Sequence, residues 1–314
     1  MTRSEFSLIA DLFAPLATSK AALGLTDDVA LLRPRAGHEL VLTTDAIIAG
    51  VDFFANDPPD TVAQKALRVN LSDLAAKGAA PFGYLLTLCL PKRINEKWLR
   101  AFTRGLARDQ KTFGISLLGG DMSSTQGPLT ISVTALGYVP KGRAILRRGA
   151  KLGDLVFVSG TIGDSGGGLS ALKTKQRAPF LIDRYRVPQP RVALGRALRG
   201  IASAALDVSD GLLADLGHLA DVSNVHVAVA AGRVPLSPAL RKAGGDVVAA
   251  VTAGDDYEIA FTAPRAKRAK VFAAAKTSNT PMTEIGWVMK GRGVALIGAD
   301  GKPMKVAKKG WEHF

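Results

Sequence analysis

The sequence predicts an α/β protein (α+β type) built as two domains, and three observations carry that reading. Short runs rich in β-branched and aromatic residues alternate with stretches of helical periodicity along the whole chain. At 314 residues the chain exceeds one typical domain. A polar, glycine-bounded stretch, "GRAILRRGAKLG" (142–153), interrupts the pattern near the middle and sets the expected boundary: domains at 1–141 and 142–314. Hydrophobic residues make up 47% and charged residues 22%, enough apolar material for ordinary globular cores.

In order along the chain, "MTRSEFSLIADLFAPLA" reads as an amphipathic helix, with Thr2 and Glu5 spaced as a capping box. It lacks the basic start, apolar middle and small-residue cleavage site of a secretory signal. Strands are expected at "ELVLTTD", "FGYLLTLCL", "ISLLGG" and "TISVTALGYV", with helices at 59–77 and 95–113. Pro59, Asp60 and Thr61 supply the start of the first of these and Gly78 its stop. In the second half, strands are expected at "DLVFVSG", "VHVAVA", "YEIAFTA" and "EIGWVM", and helices at 190–198, 212–222 and 264–276. The longest apolar runs are strand-length, far short of a membrane span. The single thiol, Cys89, sits inside one of them and is expected to be buried. A cytoplasmic enzyme is the plain expectation.

The formal net charge of +14 raises nucleic-acid binding as a possibility. The basic residues are dispersed, however, with local enrichment only at "PRAKRAK" (264–270) and "KVAKKG" (305–310). No basic stretch interleaves aromatics as a stacking platform would. A solvated surface accounts for the charge, and no nucleic-acid or membrane partner is expected.

Against this basic background, aspartates recur in polar knots beside apolar runs: "TDDVALL", "VLTTDAI", "NLSDLAA", "LLGGDMSS", "DVSDGLLADLG" and "AGDDYEIAF". Asp45 is expected to close a strand, Asp121 to follow one, Asp207 to end one and Asp210 to precede a helix. Carboxyl ends of strands and amino ends of helices are where α/β folds build ligand sites. Any single Asp could instead serve as a cap or turn residue; the recurrence favours a shared task. Gathered carboxylates repel unless a cation joins them. With four histidines and one cysteine in the chain, hard oxygen ligands for Mg²⁺ or Ca²⁺ fit better than zinc or copper sites. Thr43, Thr44 and Ser209 add neutral oxygens beside the acids. Such clusters suit metal-assisted phosphoryl transfer. No Walker-A loop or protein-kinase motif set occurs. "GGD" (119–121) and "SGTIGDSGGGLSAL" (159–172) are glycine-rich and could present N–H groups to phosphates, flexible turns being the plain alternative.

The ordered set "DDVALL", "TTDAIIAGVDF", "NLSDLAAKGA", "GGD", "DVSDGLLADLG", "GDDYEIAF" and "KGWEHF" resembles the thiamine-monophosphate kinases of the aminoimidazole-ribonucleotide-synthetase-like superfamily. It covers essentially the whole chain in order. The resemblance implies ATP-dependent phosphorylation of thiamine monophosphate to thiamine diphosphate by direct in-line transfer. By that similarity Asp28, Asp45, Asp73, Asp121, Asp207 and Asp210, with Thr43 and Thr44, would hold several Mg²⁺ ions, with Asp73, Asp121 and Asp210 at the chemistry. Gly120, Asp121, Arg147 and Ser209 would lie at the nucleotide, and Asp52, Asp255 and Trp311 at the acceptor. No covalent phosphoenzyme is implied, in line with the lack of a nucleophile with a paired base. The family's fold would make the N-terminal domain a mixed sheet that pairs across a homodimer into a β-barrel. The C-terminal domain would be an α/β sandwich completing the nucleotide and substrate sites.

Three positions depart from the family's pattern. Thr26 replaces the glycine usual before the paired aspartates, Asp52 a usual histidine, and Asp255 a usual glutamate. The metal shell is thus intact while the acceptor side differs twice. Another ATP-using synthetase of the superfamily, or a non-catalytic metal- or nucleic-acid-binding protein, is the competing reading. Against a calcium module, no EF-hand spacing appears.

Overall fold

A computed structural model describes residues 4–311. Thr2 of the expected capping box, and Glu312, His313 and Phe314 of "KGWEHF", lie outside the described residues. The chain forms two compact units, residues 1–74 with 80–142 and residues 75–79 with 143–314.

The first unit opens on α1 (Glu5–Leu8), capped by the Ser4 hydroxyl, which accepts the Ser7 N–H at 3.3 Å. The helical run continues through a wider π turn, Ile9–Phe13, and a tighter 3₁₀ turn, Ala14–Leu16. Leu8, Leu12, Phe13 and Leu16 fall on its buried side. Four strands follow: β1 (His38–Ile48), β2 (Ala80–Pro91), β3 (Ser116–Thr125) and β4 (Thr130–Pro140). They form one mixed sheet in the order β1-β4-β2-β3, parallel only between β2 and β3. Two long helices, α2 (Pro59–Ala76) and α3 (Glu96–Phe113), bury Leu67, Leu71, Leu74, Leu99, Phe102 and Leu106 completely. Gln110 of α3 donates to the Tyr84 hydroxyl of β2, and Thr43 of β1 donates to Asp73 of α2, so both helices cover the same sheet face. The opposite face carries the exposed side chains of Leu40, Leu42 and Leu85.

The second unit is a six-stranded mixed sheet in the order β10-β7-β9-β5-β8-β6. Its strands are β5 (Leu155–Ser159), β6 (Ala204–Asp207), β7 (His226–Ala230), β8 (Ile259–Ala263), β9 (Met282–Met289) and β10 (Gly293–Ile297). Its helices are α4 (Asp164–Thr174), α5 (Pro179–Arg186), α6 (Val192–Ala197), α7 (Leu212–Ser223), α8 (Pro238–Lys242), α9 (Val247–Thr252) and α10 (Arg268–Thr277). Alternate residues of β5 enter different cores. Val156 and Val158 pack with Leu212, Leu213, Leu216 and Leu219 of α7, whereas Leu155 and Phe157 pack with Leu194 of α6 and Val271 of α10. A sheet covered on both faces explains why β5 reads as an unbroken apolar run rather than an alternation.

Several sequence expectations change. β1 runs on to Ile48, so Asp45 lies inside a strand instead of closing one, and Asp121 lies within β3 instead of after it. Cys89 is half-buried rather than buried. The glycine-rich 159–172 segment is mostly helix, α4, not a flexible turn. Its glycines answer to close packing: a Cβ at Gly168 would stand 2.1 Å from the Leu181 carbonyl oxygen. Two of its leading N–H groups are also taken. Those of Gly163 and Ser165 donate to the Asp256 carboxylate at 2.6 and 3.3 Å.

Candidate functional site

In the first unit the site starts from strand alternation. Thr43 and Asp45 point to the helix-covered face of the sheet, where Asp73 of α2 meets them; its Oδ2 accepts the Thr43 hydroxyl. Asp52 stands close by on the turn after β1. Its Oδ2 accepts the Ile48 N–H at 2.8 Å, and its carbonyl accepts from Nζ of the buried Lys65 at 2.7 Å. Burial, then the charges of Asp73 and Asp52, push the Asp45 carboxyl up to about 6. Both neighbours thus oppose the ionised form of Asp45, which is an arrangement a cation relieves.

The other expected residues of this unit lie elsewhere. Thr44 points to the opposite sheet face, where Thr134 donates to its hydroxyl at 3.1 Å. Asp45, Val133, Leu86 and Gly120 face one another across the sheet, so Asp121, one residue on, presents to the Thr44 side. Asp28 is exposed in the segment before β1 that lacks regular structure. Among the described residues no three His, Cys, Asp or Glu side chains gather closely enough to hold an ion alone. The donor set nonetheless fits Mg²⁺, which keeps several waters and takes one or two carboxylates plus substrate phosphate oxygens.

In the second unit Asp207 ends β6, and Ser209 and Asp210 occupy the turn into α7, whose N-cap position is Gly211. Asp210 is not the cap that its position suggested. Asp215, four residues into the helix and nearly fully buried, accepts the N–H groups of Ser209, Asp210 and Gly211 on one oxygen, each at 3.1 Å. Burial first, then the charge of Asp210, pushes Asp215 up to about 7, although the three N–H bonds pull the other way. The carbonyls of the same turn are also engaged. Val208 accepts from Tyr257 N–H at 2.8 Å, Ser209 from Asp255 N–H at 2.7 Å, and Asp210 from Trp311 N–H at 2.8 Å.

Two of the three residues expected at the acceptor, Asp255 and Trp311, therefore reach this turn through their backbones. Asp255 (φ +68°) and Tyr257 (φ +50°) hold left-handed conformations unusual for non-glycine residues, and the Tyr257 hydroxyl donates to Asp255 Oδ1 at 3.1 Å. Trp311 docks by its amide while the residue stays 56% exposed, with Lys308 Nζ 5.9 Å from the ring centroid. Gly310 makes the docking possible: a Cβ there would lie 2.5 Å from the Asp210 carbonyl oxygen. Arg147 is exposed in the segment before β5.

Beneath the Asp255 loop lies a charge network that sequence reasoning passed over. Glu258, fully buried, accepts from Arg184 Nη2 at 2.8 Å, from Arg191 Nε at 2.7 Å and Nη2 at 2.5 Å, and from the Ser159 hydroxyl at 2.5 Å. Neighbouring Asp256 is pushed up to about 8 by burial, against the pull of two N–H bonds and Arg184. The available signal for both acids, and for Asp215, was a carboxylate inside an apolar run.

Two family models match in sequence order: AIR synthase related protein, N-terminal domain, over residues 26–139, and the corresponding C-terminal domain over residues 151–299. A thiamine-monophosphate kinase of Caulobacter vibrioides is 44% identical across 99% of this chain and 91% of its own length. The crystal structure of thiamine-monophosphate kinase from Stenotrophomonas maltophilia superposes with a TM-score of 0.86 at 41% identity, covering 97% of this chain and 99% of that one. A structure of AaThiL complexed with AMPPCP and TMP superposes with a TM-score of 0.80 at 35% identity, covering 100% and 99%.

Proposed function

Because the chain belongs to the thiamine-monophosphate kinases of the AIR synthase related family, we propose the reaction and the residue roles that follow. The enzyme phosphorylates thiamine monophosphate with ATP, giving thiamine diphosphate and ADP. An oxygen of the acceptor phosphate attacks the γ-phosphorus of ATP, a new P–O bond forms, and the bond to the β-phosphate oxygen breaks as ADP leaves. With a second phosphate pKa of about 6 the acceptor oxygen is already anionic near neutral pH, so no general base is needed. Transfer is direct and in line.

One observation carries the site assignment: Asp45 sits against Asp73 and Asp52 with its carboxyl held up at about 6. Mg²⁺ bound there would neutralise charge on the phosphates during transfer. Asp45, Asp73 and Thr43 are its proposed holders; further Mg²⁺ ions are proposed at Asp28, Thr44 and Asp121 of the first unit and, separately, at Asp207 and Asp210 of the second. Asp73 and Asp121 in the first unit and Asp210 in the second are the proposed catalytic carboxylates. Gly120, Asp121, Arg147 and Ser209 receive the nucleotide, the exposed Arg147 guanidinium as a phosphate partner. Asp52, Asp255 and Trp311 receive the thiamine phosphate, and the Trp311 ring face suits a cationic thiazolium. The first unit thus supplies metal sites and dimer contacts, and the second the remaining nucleotide and acceptor groups.

ADP release on mixing the protein with Mg-ATP and thiamine monophosphate tests this directly. Release should need the acceptor, and excess EDTA should cut it at least about 100-fold. Lowering the pH through 6 should weaken Mg²⁺, because the ion must then displace a proton from Asp45. Undiminished turnover in EDTA would remove the metal assignment.

The active form is a homodimer in which two first-unit sheets pair into a barrel. The support is the exposed row of Leu40, Leu42 and Leu85 on the open sheet face, an apolar surface that a second copy would cover. Sedimentation at micromolar concentration should show twice the monomer mass, and Leu42→Asp should shift the chain toward monomer. A wild-type chain sedimenting only as a monomer rules the dimer out. No helix among the described residues is long and apolar enough to cross a membrane. The unpaired Cys89 and an ATP-consuming step fit a cytoplasmic location.

A further inference from the structure

We infer that Asp215 is a positioning residue that fixes Asp210 and Ser209 for the phosphoryl-transfer site. The inference rests on the reading of Asp210 and Ser209 given above. The observation behind it is the convergence of three consecutive N–H groups, from Ser209, Asp210 and Gly211, on one oxygen of a side chain only 2% exposed. A capping side chain lies at the start of a helix and serves the N–H groups of its first turn. Asp215 does the reverse. It lies inside α7 and reaches back to the peptide groups that precede the helix, where the expected ligands are.

The same residue holds Gly211 twice, since its own N–H donates to the Gly211 carbonyl at 3.0 Å. On the other side of the turn, Tyr257, Asp255 and Trp311 occupy the carbonyls of Val208, Ser209 and Asp210. The peptide groups around Asp210 are thereby fixed, and its carboxylate retains only side-chain rotations. An alanine at 215 would leave three N–H groups, that of Gly211 buried and those of Ser209 and Asp210 part-buried, without this acceptor, and the turn would relax to find another.

Three measurements on Asp215→Ala and Asp215→Asn test this: amide hydrogen exchange at residues 209–211, Mn²⁺ binding by electron paramagnetic resonance, and steady-state kinetics. The alanine variant should exchange those amides at least about tenfold faster, with the rest of α7 unchanged. It should bind Mn²⁺ about fivefold more weakly, and kcat should fall about 100-fold with KM for thiamine monophosphate within about twofold. Asparagine keeps an acceptor oxygen, so it should recover at least about tenfold of kcat. If the alanine chain does not fold, Asp215→Ser decides instead, its hydroxyl being too short to reach the three N–H groups together: faster exchange confined to residues 209–211 supports the role, and wild-type exchange there overturns it. In a folded alanine variant, wild-type exchange and Mn²⁺ binding likewise overturn it, as does a loss of activity matched by loss of folded protein. A wild type that forms no ADP with thiamine monophosphate would refute the reaction, leaving the exchange and Mn²⁺ results to judge Asp215.

Discussion

Asp73→Asn should lower kcat by about three orders of magnitude while the protein stays folded. Asp73 accepts the Thr43 hydroxyl and stands beside Asp45, whose ionisation it opposes. Asparagine keeps the shape and the hydrogen-bond acceptor and removes the charge. If the charge helps hold an ion at the transferring phosphate, its loss raises the barrier by several kcal/mol, and each ~1.4 kcal/mol is a factor of ten. Stability should move the opposite way, or not at all. With one repelling neighbour gone, the Asp45 carboxyl falls from about 6 toward the ordinary carboxylate range, and the metal-free protein loses a source of strain. Asp210→Asn should behave similarly in kcat. A variant that melts earlier and turns over normally would make Asp73 only a polar helix residue.

The second large effect is on stability alone. Glu258→Gln should destabilise the second unit by about 3–5 kcal/mol, because Arg184 and Arg191 would keep their charges in a buried place without the carboxylate that balances them. The glutamine amide would also turn an N–H donor toward guanidinium donors. Urea unfolding followed by a probe in the second unit checks this: the midpoint should fall sharply, with little change for a probe in the first. An unchanged midpoint would mean that water or a shifted side chain takes over the role of Glu258.

Much of the architecture was legible because long elements announce themselves by period and punctuation. Asn95 starts α3 as expected, its side chain accepting the Trp98 N–H at 3.0 Å, and Gly114 ends it in a left-handed conformation. Ends were less legible where tertiary pairing extends a strand: β1 runs past Asp45 because β4 continues to pair with it as far as Ile48. The glycines of α4 misled because their helix-breaking tendency is outweighed by the close approach of Leu181 and Ala253. At the site, Asp45 and Asp73 are grouped, with four other aspartates, only through the family resemblance, and it takes the fold to show that β1 and α2 bring these two together. Asp215 could not be separated from Asp210 by apolar neighbours alone. Both sit in "DVSDGLLADLG", and only the three-dimensional path of the turn shows that one carboxylate holds the backbone carrying the other.

The amide of Trp311 on the carbonyl of Asp210 has a thermodynamic corollary. Residues a hundred positions apart share one hydrogen bond, so whatever orders the end of the chain also restrains the turn before α7, and the restraint works in both directions. If a ligand gripping the Trp311 ring tightens the turn's hold on a cation by some factor, the cation must tighten the ring's hold on that ligand by the same factor. Thermodynamic reciprocity would then make each ligand an effector of the other, with no moving domain required.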